Sequence, residues 1–268
     1  MIKLIVSDLD GTLLHDDKDY NHKRFARMIP ELEKRGIVFA PASGRSYPTL
    51  RSTFEQFADR MAFICENGNV LAYRGEILSY FQISDEDALM LLEESRKVGN
   101  MYPLFCGLKN CYYEDNDEHF VYMIKRYFNN MKHIDHVEDC LKMDVIIKLS
   151  FQDKIDVFTN SLPGMQHLSD RFTLAPSGEN WLDFYYREAG KGTMIKRLQE
   201  HLGISPDETM CFGDYLNDLT LVTAGTESYA MKNAHPDIKK LCKYETKWTN
   251  NEDGVINTIA EVFGIQGI

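Results

Sequence analysis

The stretch Ile5-Val6-Ser7-Asp8-Leu9-Asp10-Gly11-Thr12-Leu13-Leu14 decides how the rest of the chain is read. Residues 2–7 are mostly apolar; the run then stops at an acid, passes one leucine, meets a second acid and turns on a glycine. A short apolar run bounded by a turn signal reads as a strand buried on both faces, the pattern of a parallel sheet. Ligands of an open parallel sheet bind beyond the carboxyl ends of its strands. Two carboxylates therefore stand where such a fold does its chemistry.

Working outward, residues 21–35 carry helical spacing and Gly36 ends them. Residues 37–42 read as a second buried strand, followed by Ser43-Gly44-Arg45 and a helix to about Phe57. A third strand, 61–65, leads into Glu66-Asn67-Gly68. Strands alternating with helices predict a parallel sheet with right-handed crossovers. The middle differs. A helix over 84–98 opens on Ser84 and Asp85, and strand-like pieces follow at 101–106, 111–114, 143–151, 171–175 and 181–186. Helices are expected at 117–129 and 153–161, so this part reads as an α+β module. The first pattern then resumes. Gly190-Lys191-Gly192 opens a helix to His201, and a strand at 209–212 ends in Gly213-Asp214. A helix, a short strand at 228–231 and helices at 234–242 and 252–263 complete the chain. The expected fold is an α/β core of residues 1–82 and 187–268, interrupted by an inserted domain of residues 83–186.

Composition agrees with a soluble globular protein of 268 residues, 44% hydrophobic and 26% charged. No apolar run approaches the roughly 20 residues a membrane span needs, and Asp8 and Asp10 follow the first apolar residues where a signal peptide would carry a cleavage site. The net charge of −11 disfavours nucleic acid and anionic membranes as partners. It disfavours an anionic substrate too, unless a metal or a basic group reverses the local field. Six scattered cysteines without an export signal point to the cytoplasm and to no disulfide framework.

Four features fall at predicted strand ends or helix starts: Asp8/Asp10, Ser43, Lys191 and Asp214/Asn217/Asp218. Asp8, Asp214 and Asp218 offer hard oxygen donors of the kind Mg²⁺ takes. Ser43 and the amides of Gly44 and Arg45, at an expected helix N-terminus, suit a phosphate oxygen, and Lys191 adds a cation. A carboxylate beside Mg²⁺ can attack phosphorus, and a second can protonate the leaving alcohol and then activate water. Asp8 would be that nucleophile and Asp10 that acid and base, with Gly11 permitting the turn. A phosphorylated small molecule is the partner this set implies.

These residues, as Asp8-Leu9-Asp10-Gly11-Thr12, Ser43-Gly44-Arg45, Lys191-Gly192 and Gly213-Asp214-x-x-Asn217-Asp218, resemble the four ordered motifs of the haloacid-dehalogenase (HAD) superfamily phosphatases. Asn233-Ala234-His235 and Asn250-Asn251-Glu252-Asp253-Gly254-Val255 are similar to the tail of its Cof-type branch, and the overall length and Cys106-Gly107-Leu108 to bacterial sugar phosphatases of that branch. The resemblance implies a Rossmann-like core with a large inserted cap and hydrolysis of sugar phosphates. It also implies a role for each matching position. Asp8, the Asp10 carbonyl and Asp214 would ligate Mg²⁺, Asp218 would orient the metal's shell, and Ser43, Gly44, Lys191 and Asn217 would hold phosphate. Lys232 departs from the pattern, standing where the branch usually has glycine before Asn233.

Other readings compete. A phosphosugar mutase would use the same motifs, and a phosphometabolite-binding protein would keep the scaffold without turnover. A dinucleotide enzyme lacks its G-x-G-x-x-G. His133-x-x-His136 and Cys106-x4-Cys111 have no partner pair at zinc spacing. Asn67 either faces the active cleft or completes a turn, and Ser177–Trp181 is either a loop over the substrate or a hairpin turn. The sequence leaves monomer and homodimer both open.

Overall fold

Leu4, Ile5 and Val6 have no solvent exposure, and strand β1 (Leu4–Asp8) accordingly lies inside a sheet, with β2 (Val38–Ala42) on one side. The computed structural model describes residues 1–128, 130–177 and 180–268. The chain forms two compact units, Met1–Ser79 with Gly190–Ile268, and Tyr80–Ala189.

Helix α1 (His22–Lys34) starts at Asn21, whose side chain accepts from the Arg24 amide, and buries Phe25, Met28, Ile29 and Leu32 at helical spacing. Phe25 meets Phe39, Phe54 and Phe57 at ring separations of 5.5, 5.4 and 5.7 Å, which fixes α1 against β2 and the segment after α2 (Tyr47–Thr53). Strand β3 (Ala62–Cys65) follows, then β4 (Val70–Tyr73) and β5 (Glu76–Tyr80). The turn joining β4 to β5 uses Arg74 and Gly75, both at positive φ; this hairpin escaped the reading of the sequence, although an X-Gly pair between apolar runs is its signal.

The inserted unit contains α3 (Asp85–Val98), β6 (Met101–Gly107), β7 (Cys111–Tyr113), α4 (Glu118–Tyr127), β8 (Met131–His133), β9 (Ile146–Asp153), α5 (Ser161–Met165), β10 (Phe172–Ser177) and β11 (Trp181–Tyr186). Among the described residues its strands run in the order β10-β11-β9-β6-β7-β8, antiparallel except for β7 with β8. Leu91 and Leu92 of α3 pack with Phe105, Leu149, Phe151 and Phe184 in one apolar cluster. Phe120, Met123 and Ile124 of α4 pack with Leu104 and Trp181 in another. The helix expected over 153–161 is absent. Asp153 instead accepts from the amides of Ile155, Asp156 and Ser161 and from the Asn160 side chain, holding a turn. Side-chain acceptors of this kind compete with the helical ladder. The loop expected at Ser177–Trp181 includes Gly178 and Glu179, which lie outside the described residues.

The first unit resumes with α6 (Lys191–Leu202), β12 (Thr209–Gly213), α7 (Leu219–Val222), β13 (Glu227–Ala230), α8 (Pro236–Leu241), β14 (Tyr244–Glu245) and α9 (Gly254–Phe263). Its strand order is β14-β13-β12-β1-β2-β3-β4-β5, parallel from β14 to β3, with β4 antiparallel to β3. The fold is therefore α/β, with the first and last thirds of the sequence sharing one sheet. Because β1 pairs with β12, the ends that carry Asp8 and Asp214 are neighbours although 206 positions separate them.

Candidate active site

Asp8 closes β1 and Asp214 follows β12; Asp218 lies one 3₁₀ turn further on. Carboxylate oxygens of the three lie within 4.8 Å of one another. Lys191 enters from the first turn of α6 with its side chain almost wholly buried. Its Nζ donates to Asp8 Oδ1 at 2.5 Å and to Asp218 Oδ1 at 2.7 Å. Asp218 is itself completely buried, and its Oδ2 accepts from the Asp214 amide at 3.1 Å. One ammonium thus faces three carboxylates.

Burial governs the ionisation of the group. Burial, reinforced by Asp218 and Asp214 and opposed by Lys191, pushes the Asp8 carboxyl up to about 7. Burial likewise lifts Asp214 to about 6, against a hydrogen bond from Thr12. For Lys191 burial works downward, but the charges of Asp8 and Asp218 outweigh it and the ammonium is held above its usual range.

Gly11, at φ +82, turns the chain beside Asp214. A Cβ there would overlap the Asp214 carboxylate, so glycine is required both for the backbone and for the space. Thr12 is buried and its Oγ1 donates to Asp214 Oδ1 at 2.9 Å, a contact not foreseen from the sequence, where Thr12 reads as part of the turn. Asp10 stands outside the three-carboxylate group. Its side chain is exposed and its Oδ1 lies 3.1 Å from both Arg45 Nη2 and Lys18 Nζ.

Ser43 is buried, and its Oγ accepts from the Arg45 amide at 3.2 Å. The expected helix N-terminus at this loop is corrected. Helix α2 starts at Tyr47 with Ser46 as its cap, and Pro48 fits its first turn, so Ser43, Gly44 and Arg45 form a loop before it. Gly44 is exposed. Asn217 is exposed on the turn between Tyr215 and Asp218 and makes no side-chain hydrogen bond among the described residues.

The tail motifs reach back to this site. Asn233 Nδ2 donates to the Gly11 carbonyl at 2.8 Å, and its Oδ1 accepts from the Asn250 amide at 3.0 Å. Asn250 is buried and its Nδ2 donates to the Leu14 carbonyl and to Asp16, each at 3.0 Å. Hydrogen bonds from Asn250 and Asn251 hold the Asp16 carboxyl below the usual range. Asp253 accepts from His15, Asn21 and Arg24; burial opposes its charge, yet these bonds hold its carboxyl low as well. The loop that carries Asp10 is thereby clasped at several points. Lys232 lacks positive φ, so glycine is not needed there, and its exposed Nζ points to Glu252 at 4.0 Å.

Among the described residues no second group of three metal-ligating side chains occurs, and His133 bonds the Glu114 carbonyl instead. No helix of the described residues is long and apolar enough to cross a membrane.

A parallel sheet that gathers carboxylates, a buried lysine and a serine–glycine loop beyond its strand ends defines an α/β protein with a hard-oxygen, anion-handling site. The profile of the haloacid dehalogenase-like hydrolases matches residues 5–259, and the chain belongs to that family. It is 27% identical over 267 residues to 5-amino-6-(5-phospho-D-ribitylamino)uracil phosphatase YbjI of Escherichia coli, covering 97% of this chain and 96% of the relative. It is 25% identical over 261 residues to the Bacillus subtilis phosphatase YcsE, named for the same compound, covering 96% and 94%. The crystal structure of a Streptococcus mutans protein superposes with a TM-score of 0.82 at 26% identity, over 98% of this chain and all of that one. One from Eubacterium rectale, at 24% identity and a TM-score of 0.88 over 97% and 99%, shares the fold.

Proposed function

We propose that the chain is a Mg²⁺-dependent phosphatase of small phosphomonoesters, sugar or sugar-alcohol phosphates, working through an aspartyl-phosphate on Asp8. The observation that carries this reading is the buried Asp8, hydrogen-bonded to Lys191 and flanked by Asp214 and Asp218 at the ends of paired parallel strands. The donor set fits a hard divalent cation: carboxylate oxygens only, converging, with more negative charge than one lysine balances. Asp8, Asp214 and the Asp10 carbonyl would hold it, and Asp218 would orient them. Bound there, Mg²⁺ would keep Asp8 ionised and offset charge on the transferring phosphoryl group.

The chain's own groups divide the work. A carboxylate oxygen of Asp8 forms a bond to phosphorus while the ester oxygen leaves and takes a proton from Asp10. Asp10 then removes a proton from water, whose oxygen displaces Asp8 and releases phosphate. Asp10's exposed position, away from the other carboxylates, suits contact with the leaving alcohol and with water. Lys191 balances charge at the phosphoryl oxygens, and the Ser43–Gly44 loop and Asn217 supply donors. The two relatives named for a ribityl phosphate support a primary phosphate on a polyol chain as substrate class.

The test is phosphate release from a panel of sugar phosphates, nucleotides and 5-amino-6-(5-phospho-D-ribitylamino)uracil. It is run with Mg²⁺ or EDTA, for wild type and Asp8→Asn. Release that needs Mg²⁺ and disappears in the folded variant is expected. Substantial turnover by Asp8→Asn would overturn the nucleophile assignment, and an isomeric sugar phosphate in place of free phosphate would replace hydrolysis with mutase chemistry.

A further inference from the structure

The turn after β3 holds three successive residues at positive φ: Glu66 at 50°, Asn67 at 55° and Gly68 at 91°. Only the third is glycine, so two side chains are carried in a conformation that L-residues avoid. The turn is bound on both sides. The Glu66 amide donates to the Arg45 carbonyl and the Asn67 amide to the Ser43 carbonyl, each at 3.0 Å. Gly68 lies so close to Gly190 and the Lys191 amide that a Cβ would overlap their backbone. The turn therefore bridges the serine–glycine loop and the start of the helix that supplies Lys191.

Asn67 occupies the centre of that bridge. Its carboxamide lies over Gly44: a Cβ on Gly44 would be 3.0 Å from Asn67 Oδ1 and 3.2 Å from Nδ2. The side chain is partly exposed and makes no hydrogen bond among the described residues, while neighbouring Asn69 is buried and bonded to the Glu66 carbonyl. Glycine would satisfy the backbone of position 67 at lower conformational cost. What asparagine adds is a neutral donor and acceptor beside exposed Gly44, with no further negative charge in an already acidic site. Strain held in a residue whose side chain makes no hydrogen bond is characteristic of a group kept for a ligand.

We infer that Asn67 is a substrate-binding residue, its Nδ2 donating to an oxygen of the phosphoryl group held at Ser43 and Gly44. This rests on the phosphatase reading above. No metal ligand is altered by changing it, and it takes no proton, so its contribution is to binding and orientation.

The experiment compares wild type, Asn67→Gly and Asn67→Asp with p-nitrophenyl phosphate as substrate and inorganic phosphate as competitive inhibitor, and records Tm for each. Loss of one hydrogen bond to a charged oxygen predicts a ~10- to 100-fold rise in KM and in the phosphate inhibition constant for Asn67→Gly. Its Tm should equal or exceed wild type, because glycine relieves the backbone. Asn67→Asp, which tolerates the same φ but turns a carboxylate toward the phosphate, should bind phosphate more weakly still. A folded glycine variant with wild-type KM and inhibition constant overturns the inference, since asparagine would then serve only the turn. If the glycine variant does not fold, wild-type phosphate binding by Asn67→Asp overturns it equally. Wild type that neither hydrolyses any phosphomonoester nor binds phosphate would instead overturn the phosphatase reading, and the inference with it.

Discussion

Replacing Lys191 by methionine removes the single ammonium from the carboxylate group while keeping an unbranched side chain up to the position of Cε. Lys191 Nζ lies 2.5 Å from Asp8 and 2.7 Å from Asp218, and all three residues are buried. Removing one partner of a buried ion pair costs about 3–5 kcal/mol, because the charges left behind lose their compensation. The cost depends on pH in a defined direction. Burial has raised Asp8 to about 7 even with Lys191 present. Between the unfolded carboxyl pKa and about 7 the folded protein holds a proton that the unfolded chain lacks, so stability falls as pH rises through that window. Below pH 7 wild type and variant share this slope. In Lys191→Met the attraction that lowers Asp8 is gone, the folded pKa rises further, and the slope extends above 7. At 1.36 kcal/mol for each pKa unit, the penalty of the substitution should grow by about 2 kcal/mol between pH 6.5 and 8.5. Lys191 is charged in both states over this range and adds no slope of its own. Urea unfolding in EDTA at the two pH values, followed by Trp248 fluorescence in a Trp181→Phe background, reads the difference in the unit that carries the site. A loss below about 1 kcal/mol, or one equal at both pH values, would refute the argument that Lys191 offsets buried negative charge.

Gly68→Ala should destabilise the protein by about 3 kcal/mol or more, from positive φ and from a Cβ driven into the backbone of Gly190 and Lys191. It should also lower activity by displacing Lys191; wild-type values in urea unfolding and in phosphate release would contradict the close approach. Asn233→Asp keeps an acceptor for the Asn250 amide but loses the donation to the Gly11 carbonyl. Its expected effect is a several-fold drop in kcat with KM little changed, since the loop of Asp10 is loosened and the phosphate loop is not; an unchanged kcat would remove the clasp from the account of activity.

Much of this was legible in the residues themselves. Buried parallel strands announce themselves as apolar runs, and their ends are where acids are costly unless used, so Asp8, Asp10 and Asp214 stood out from pattern alone. The same logic revealed the interruption, because the middle third breaks the strand–helix alternation. Polar local competition was harder to see. The turn built on Asp153 replaced a helix because its side-chain hydrogen bonds outweigh a weak helical pattern, and Pro48, tolerated only in the first turn of a helix, sets the start of α2 beyond Ser43. What tertiary structure alone decided are the contacts across long sequence separations. Thr12 on Asp214, Asn233 on the Gly11 carbonyl, Asp253 gripping His15 and Arg24, and Asn67 lying over Gly44 depend on which strands and loops become neighbours. A side chain's chemical type can be read from the sequence; its partner is set by the pairing of β1 with β12 and β2, which no local pattern encodes.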